Sequence, residues 1–193
     1  MNRFRLSLLL MLAFTLLPPA ALAGADDLAP ANACPGADAT SAAAPEQVAA
    51  MRCLVDYARG EHGLRALPSA EALEDSAGLK AEAEVRCDEF SHTACGDPLT
   101  HTFKRAGYID SAYRWKVGEN LAYGRGTAAS PRGVMAMWLA SPTHRENLLS
   151  TKWREQGIAL LPQAVLMGQP GTAVWVSHFG TRNRAGASAA RRR

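Results

Sequence analysis

Between Pro45 and Leu64 the stretch PEQVAAMRCLVDYARGEHGL puts Val48, Met51, Leu54 with Val55, and Ala58 at intervals of three and four. That period is one face of a helix, with Pro45 near its start and Gly60 and Gly63 past its end. LPSAEALEDSAGLKAEAEVRC carries a thinner stripe of Leu73, Ala77 with Leu79, Lys80 with Ala81, and Glu84. It predicts a half-exposed helix capped by Ser69, with Glu71, Glu74 and Asp75 near the positive end of the dipole. In DPLTHTFKRAGY, Asp97 is a cap, Pro98 takes the first helical position and Gly107 is the stop of a third, short helix. SPRGVMAMWLA and SPTHRENLLS repeat the device at Ser130-Pro131 and Ser141-Pro142, so two short helices meet at a corner.

The other apolar runs read as strands: VGENLAYG around Leu121, WREQGIALL around Ile158, and TAVWVSHFGT. In the last, Val174, Val176 and His178 fall on one face and Trp175, Ser177 and Phe179 on the other. Helices come first and strands last, with a strand-like segment between, which favours an α+β fold over a parallel α/β sheet. There is no internal repeat.

The ends of the 193-residue chain differ from its middle. Arg3 and Arg5 precede a short apolar run, Leu6 to Leu17, and Ala21-Leu22-Ala23 is a small-residue cleavage site, so residues 1–23 read as a signal peptide. An uncleaved anchor is the alternative. Residues 24–44, rich in Ala, Asp, Gly and Pro, read as a linker into one domain over 45–182, and 183–193 as a basic, disordered tail. Cleavage would remove two of the 21 basic residues against 18 acidic ones, taking the balance from +3 to +1. A nearly neutral domain lacks the basic face of a nucleic-acid binder. The final Arg191, Arg192 and Arg193 form a solvated charge run, with an acidic polymer or membrane as the rival partner.

Four cysteines fit an oxidising compartment, and three pairings are open to them. Cys34 with Cys53 and Cys87 with Cys95 is favoured, because each bridge then stays within one local unit. A zinc site is the rival reading, but no C-x-x-C is present.

FSHTACGDPLTHTFKRAGY, VGENLAYG, MWLASPTHRENLL, WREQGIAL and AVWVSHFG stand in an order and at intervals that resemble the bacterial SCP-like branch of the CAP superfamily. That group is named for cysteine-rich secretory proteins, antigen 5 and plant pathogenesis-related 1 proteins. The resemblance spans Pro45 to Thr181. It implies a three-layer α-β-α sandwich around an open cleft with two His and two acidic residues, which hold zinc or another divalent cation in some members. Matched residue by residue, the metal set would be His92, Glu119 and His144. The usual fourth acid, three residues after the helix Trp138, is Ser141 here, so the site has three protein groups unless Glu146 or another carboxylate fills in.

His92 lies between Cys87 and Cys95, where a disulfide would restrain it, and Glu119 sits among apolar neighbours, where a carboxylate needs a partner. His144 falls in the first turn of a helix, whose dipole favours the neutral imidazole. His178 and Trp138 are placed as further lining of the ligand cleft, Arg145 as a partner of Glu119 or Glu146, Asn147 as a turn tie and His101 as a rim residue. The chain has neither G-x-S-x-G nor H-E-x-x-H, so nucleophilic catalysis has no candidate. These readings favour a secreted protein that binds a small apolar ligand, such as a lipid, or an envelope component. It would not bind nucleic acid or keep a membrane span after signal cleavage. The alternative is an extracellular hydrolase in which a His/Glu pair, with or without metal, activates water.

Overall fold

The structure, a computed structural model, describes residues 27–184. The expected signal peptide and the tail beyond Arg184 lie outside the described residues. Helix α1, Ala44–Glu61, has Pro45 in its first turn and buries Gln47, Ala50, Met51, Leu54, Val55, Ala58 and Arg59. Its end is closed by Leu64 N–H on the Arg59 carbonyl, with Gly63 at φ +64°.

Helix α2 spans Glu71–Cys87. Ser69 is not its cap: Ala70 holds that position, and Ser69 pairs with Gln156 in an isolated bridge. The backbone here is committed elsewhere, with Ala70 N–H on the Gln156 carbonyl and Gln156 N–H on the Pro68 carbonyl, both at 3.0 Å. Helix α3, Thr100–Arg105, starts later than the Asp97-Pro98 signal, because Asp97 is extended at the end of the turn Ala94–Gly96. Helices α4, Pro131–Ala140, and α5, Pro142–Leu148, meet at Ser141. Ser130 caps α4 as its sequence predicts, its hydroxyl accepting from Gly133 N–H at 3.1 Å.

Strands β1, Tyr113–Gly124, β2, Glu155–Leu166, and β3, Gln169–Arg184, form an antiparallel sheet in the order β1-β3-β2. Alternation along the strands sorts the core into two layers. Leu121, Val174 and Val176 pack with Ala77 and Ala81 of α2. On the other side Ala122, Trp175 and Phe179 pack with Met51, Leu54, Val55, Val134, Trp138 and Leu139 of α1 and α4. The fold is therefore α+β, a three-layer α-β-α sandwich.

The disulfides are Cys34–Cys53 and Cys87–Cys95. The first ties down a stretch that composition alone reads as linker. Over its described part, residues 27–43, that stretch is packed: Ala29, Cys34 and Ala37 are buried, and Arg132 of α4 reaches the Ala29 carbonyl and the Asp38 carboxylate. At its start the Asp27 carboxylate accepts from Arg145 at 2.7 Å and bonds His62 at 2.7 Å. Burial works against that charge, but the bonds to Arg145 and His62 outweigh it and hold the carboxyl below its usual range.

Candidate functional site

Strand register places Glu119 of β1 directly opposite His178 of β3. Both side chains are fully buried on the α2 side of the sheet. His178 Nε2 lies 2.8 Å from Glu119 Oε2, and His178 Nδ1 lies 2.9 Å from Ser76 Oγ on α2. Ser76 Oγ is in turn 3.2 Å from Thr102 Oγ1 on α3, and Phe103 stacks on the His178 ring at 4.1 Å. The other Glu119 oxygen, Oε1, is 2.6 Å from His92 Nδ1. Glu119 therefore joins a buried imidazole to an exposed one.

The charges follow from these contacts. Burial alone would raise the Glu119 pKa, but hydrogen bonds from His178 and His92 more than offset it and hold the carboxyl below its usual range. Burial lowers the His178 pKa despite the carboxylate, so its ring is neutral. With Nε2–H given to the carboxylate, His178 Nδ1 is left to accept from Ser76. His92 is 54% exposed, and its Nδ1–H bond to Glu119 turns Nε2 toward solvent.

Sequence reasoning missed a second pair of charges beside this network. Lys80 and Glu84 lie on the buried face of α2, with Lys80 Nζ 3.9 Å from Glu84 Oε1 and donating to the Ser91 carbonyl. Among the described residues neither Glu84 oxygen has a hydrogen-bond partner. Burial pushes this carboxyl up to about 8, Lys80 opposes the shift, and Glu119 and Glu89 add to it, so Glu84 is mostly protonated at neutral pH. A readable signal existed: Ser76, Lys80 and Glu84 recur every four residues, in line with the apolar stripe.

Several expected site residues stand elsewhere. Among the described residues the His144 ring is hydrogen-bonded to no group of the network, yet it stands near enough to His92 to feel its charge. Glu119 faces α2, whereas Asn120 faces α5, donating to the His144 carbonyl at 3.0 Å and accepting from Asn147 at 2.9 Å. Burial, and then the charge of His92, lower the His144 pKa. Trp138 is 1% exposed and gives its indole N–H to the Leu121 carbonyl, so it is core and lines no open cleft. His178 is sealed behind Glu119 and likewise lines none. Ser141 has no carboxylate substitute in α5, since Glu146 is exposed and its closest partner is Lys152 at 4.0 Å. Arg145 pairs with Asp27 instead of a glutamate. Asn147 is the tie its side chain promised, also donating to the Glu119 carbonyl at 3.2 Å, and His101 sits 3.5 Å from Asp97 on the surface.

The donor set does not suit a divalent cation. Both Glu119 oxygens are engaged by histidines, and among the described residues no three His, Cys, Asp or Glu side chains are grouped to hold a metal ion. The niche beside His92, His101 and Thr102 measures about 10 Å³, room for about one water. Larger space lies elsewhere: a groove of about 520 Å³ at the α4/α5 corner has Leu139, Ala140, Pro142 and Leu149 in its wall. Among the described residues no helix is long and apolar enough to cross a membrane.

The model of the cysteine-rich secretory protein family, CAP, matches residues 53–179. No curated protein matches the chain. An outer surface protein of Borrelia burgdorferi superposes with a TM-score of 0.60 at 22% identity, over 72% of this chain and 94% of the other. A cysteine-rich secretory protein of Staphylococcus aureus gives 0.54 at 18% identity, over 72% of this chain and 39% of the other. An extracellular SCP-domain protein of Bacillus anthracis gives 0.51 at 22% identity, over 67% and 38%. Identities this low carry the fold and not the activity.

Proposed function

Since the chain belongs to the cysteine-rich secretory protein (CAP) family, we propose that it is an extracellular binding module that presents the His92 imidazole to an envelope component docking on its surface. Residence outside the cytoplasm is supported by the two disulfides, the signal-like start and relatives described as outer-surface or extracellular. The observation that carries the binding role is the His92–Glu119 bond. A surface imidazole is held in one orientation by a fully buried carboxylate, which His178 and Ser76 fix from behind. Such a group offers Nε2 as a fixed acceptor to a docking partner. The niche beside it is too small to enclose a lipid chain, and an apolar ligand would take the α4/α5 groove instead.

One feature favours hydrolysis as the second reading: a carboxylate on Nδ1 with Nε2 free is the arrangement of a general base. Among the described residues no hydroxyl or thiol is hydrogen-bonded to His92 Nε2, so water would be the nucleophile.

Cosedimentation of the mature protein with isolated bacterial envelopes separates the readings. His92→Ala is expected to weaken binding about tenfold, the loss of one good hydrogen bond, with little change in melting temperature. Equal binding by the variant would sink the proposal. Cleavage of a fluorescent casein that both His92→Ala and Glu119→Gln abolish would replace it with the hydrolase. Added zinc is expected to leave the melting temperature unchanged, and a rise that His92→Ala cancels would return a metal to the site.

A further inference from the structure

A groove of about 530 Å³ runs between the 63–68 loop and the 151–154 loop, lined by Arg59, Arg65 and Arg154 with Trp153 and Thr151. No acidic residue lines it, and it shares no residue with the His92–Glu119 network. Arg59 is 2% exposed and is held rigidly. Its Nε donates to the Arg65 carbonyl at 2.8 Å, and its Nη1 to the carbonyls of Leu148 at 2.7 Å and Ser150 at 3.2 Å. Nη2 makes no hydrogen bond with the described residues. Arg154 is anchored by Nη1 alone, on the carbonyls of Thr151 and Trp153, and the exposed Arg65 guanidinium has no partner among the described residues.

Three cations thus line one groove, and among the described residues Asp56 of α1 is the acid whose charge acts on Arg59. Burial raises the Asp56 carboxyl, against a hydrogen bond from Leu67 N–H and the charges of Arg52 and Arg59, so its compensation is incomplete. Burial, and the like charge of Arg154, work against the cationic form of Arg59, while Asp56 favours it. An anion in the groove would relieve that repulsion. Guanidinium groups with free N–H edges select planar or tetrahedral oxyanions, and Leu64, Leu67 and Pro68 offer apolar surface for the body of the ligand.

We propose that this groove is a binding site for a phosphate ester, with the phosphate on Arg59, Arg65 and Arg154 and its organic part along Leu64, Pro68 and Trp153. The same headgroup chemistry occurs in a free small phosphate ester and in an anionic phospholipid. Backbone and arginine Nε–H NMR of the mature protein, titrated with glycerol 3-phosphate, tests it against glycerol and against chloride of matched ionic strength. Saturable shifts are expected at the three arginines, at Thr151 and at the Trp153 indole N–H. Arg65→Gln combined with Arg154→Gln should weaken binding about tenfold or more without lowering the melting temperature, since both side chains are exposed. Shifts that fail to saturate, that chloride reproduces, or that the double variant leaves unchanged would overturn the site. A parallel arm with phosphatidylglycerol and phosphatidylcholine vesicles assigns the source. Attenuation of the same signals by the anionic vesicles alone supports the site with a lipid headgroup as ligand, and saturation by glycerol 3-phosphate without vesicle binding supports it with a free ester.

Discussion

Glu119→Ala is expected to lower the stability of the mature protein by about 4 kcal/mol, the cost of removing one partner from a buried charged network. In a protein of this size that is a fall in melting temperature on the order of 10 °C. The substitution leaves His178 fully buried with its Nε2–H unpaired, and it frees His92 from the only buried group that orients it among the described residues. Glu119→Gln keeps one carbonyl acceptor for one of the two imidazoles and should fall between Ala and the native residue. His92→Ala, at an exposed position, should barely move the transition. The order Ala, Gln, native is thus a test of whether the carboxylate is held chiefly by His178. Equal losses for Glu119→Ala and His92→Ala would refute that arrangement.

The same groups set a pH profile. Glu119 has a depressed pKa, so its contribution is present above the ordinary carboxylate value of 4.5 and is lost as pH falls through the lower folded value. His178 stays neutral when folded but takes a proton in the unfolded chain below about 6.5, so acid favours unfolding there too. Glu84 has the opposite sign: with a folded value of about 8 against 4.5, it binds a proton in the folded state, and stability falls as pH rises between those values. Thermal melts across pH should therefore decline on both sides. In Glu119→Ala the part of the acid limb below the ordinary carboxylate value of 4.5 should flatten, because that anion is gone, while the His178 part below 6.5 remains.

Most of the architecture was legible because its signals are local and repeated. The α1 stripe, the Ser130 cap and the Ser-Pro corner need only a few neighbouring residues, and the short loop between Cys87 and Cys95 made that pairing readable. Glu119 and His92 were readable as site residues through motif order. What escaped depends on tertiary depth. Lys80 and Glu84 look like the polar edge of a half-exposed helix until α2 is laid on the sheet, where they become buried neighbours of Glu119. His178 was placed on the correct strand face, yet alternation says nothing of what covers that face, and α2 and α3 seal it with Ser76 and Phe103. Asn120, next to Glu119 on β1, holds the His144 carbonyl, so a backbone tie that motif order does not show fixes α5 beside the strand, with the His144 ring close enough to feel the charge of His92. Composition misled at 27–43, since Ala, Gly and Pro pack as closely as they loop once Cys34 and Asp27 pin the chain.

The depth of that site rests on a residue with no side chain. Gly157 of β2 pairs with His178, and a Cβ there would lie 2.1 Å from the Leu73 carbonyl carbon and 2.2 Å from the Glu74 nitrogen. Both atoms belong to the first turn of α2, so the obstacle is backbone and cannot swing aside as a side chain would. Nor can the helix slide, because Ala70 N–H and the Leu67 and Pro68 carbonyls are all hydrogen-bonded to Gln156. Gly157→Ala is therefore expected to cost about 3 kcal/mol, at the upper end for overpacking, by lifting α2 off the sheet. Lifting α2 withdraws Ser76 from His178 and admits water to Glu84, so the effect should reach the site as well as the stability. Gly78, in the same helix, has open space around its Cβ position, and Gly78→Ala should stabilise by up to about 1 kcal/mol. Opposite shifts in melting temperature for two Gly→Ala changes at the α2 layer would place the constraint at the helix–sheet contact. A Gly157→Ala protein as stable as the native one would mean that some other contact sets how deeply α2 seats over Glu119 and His178.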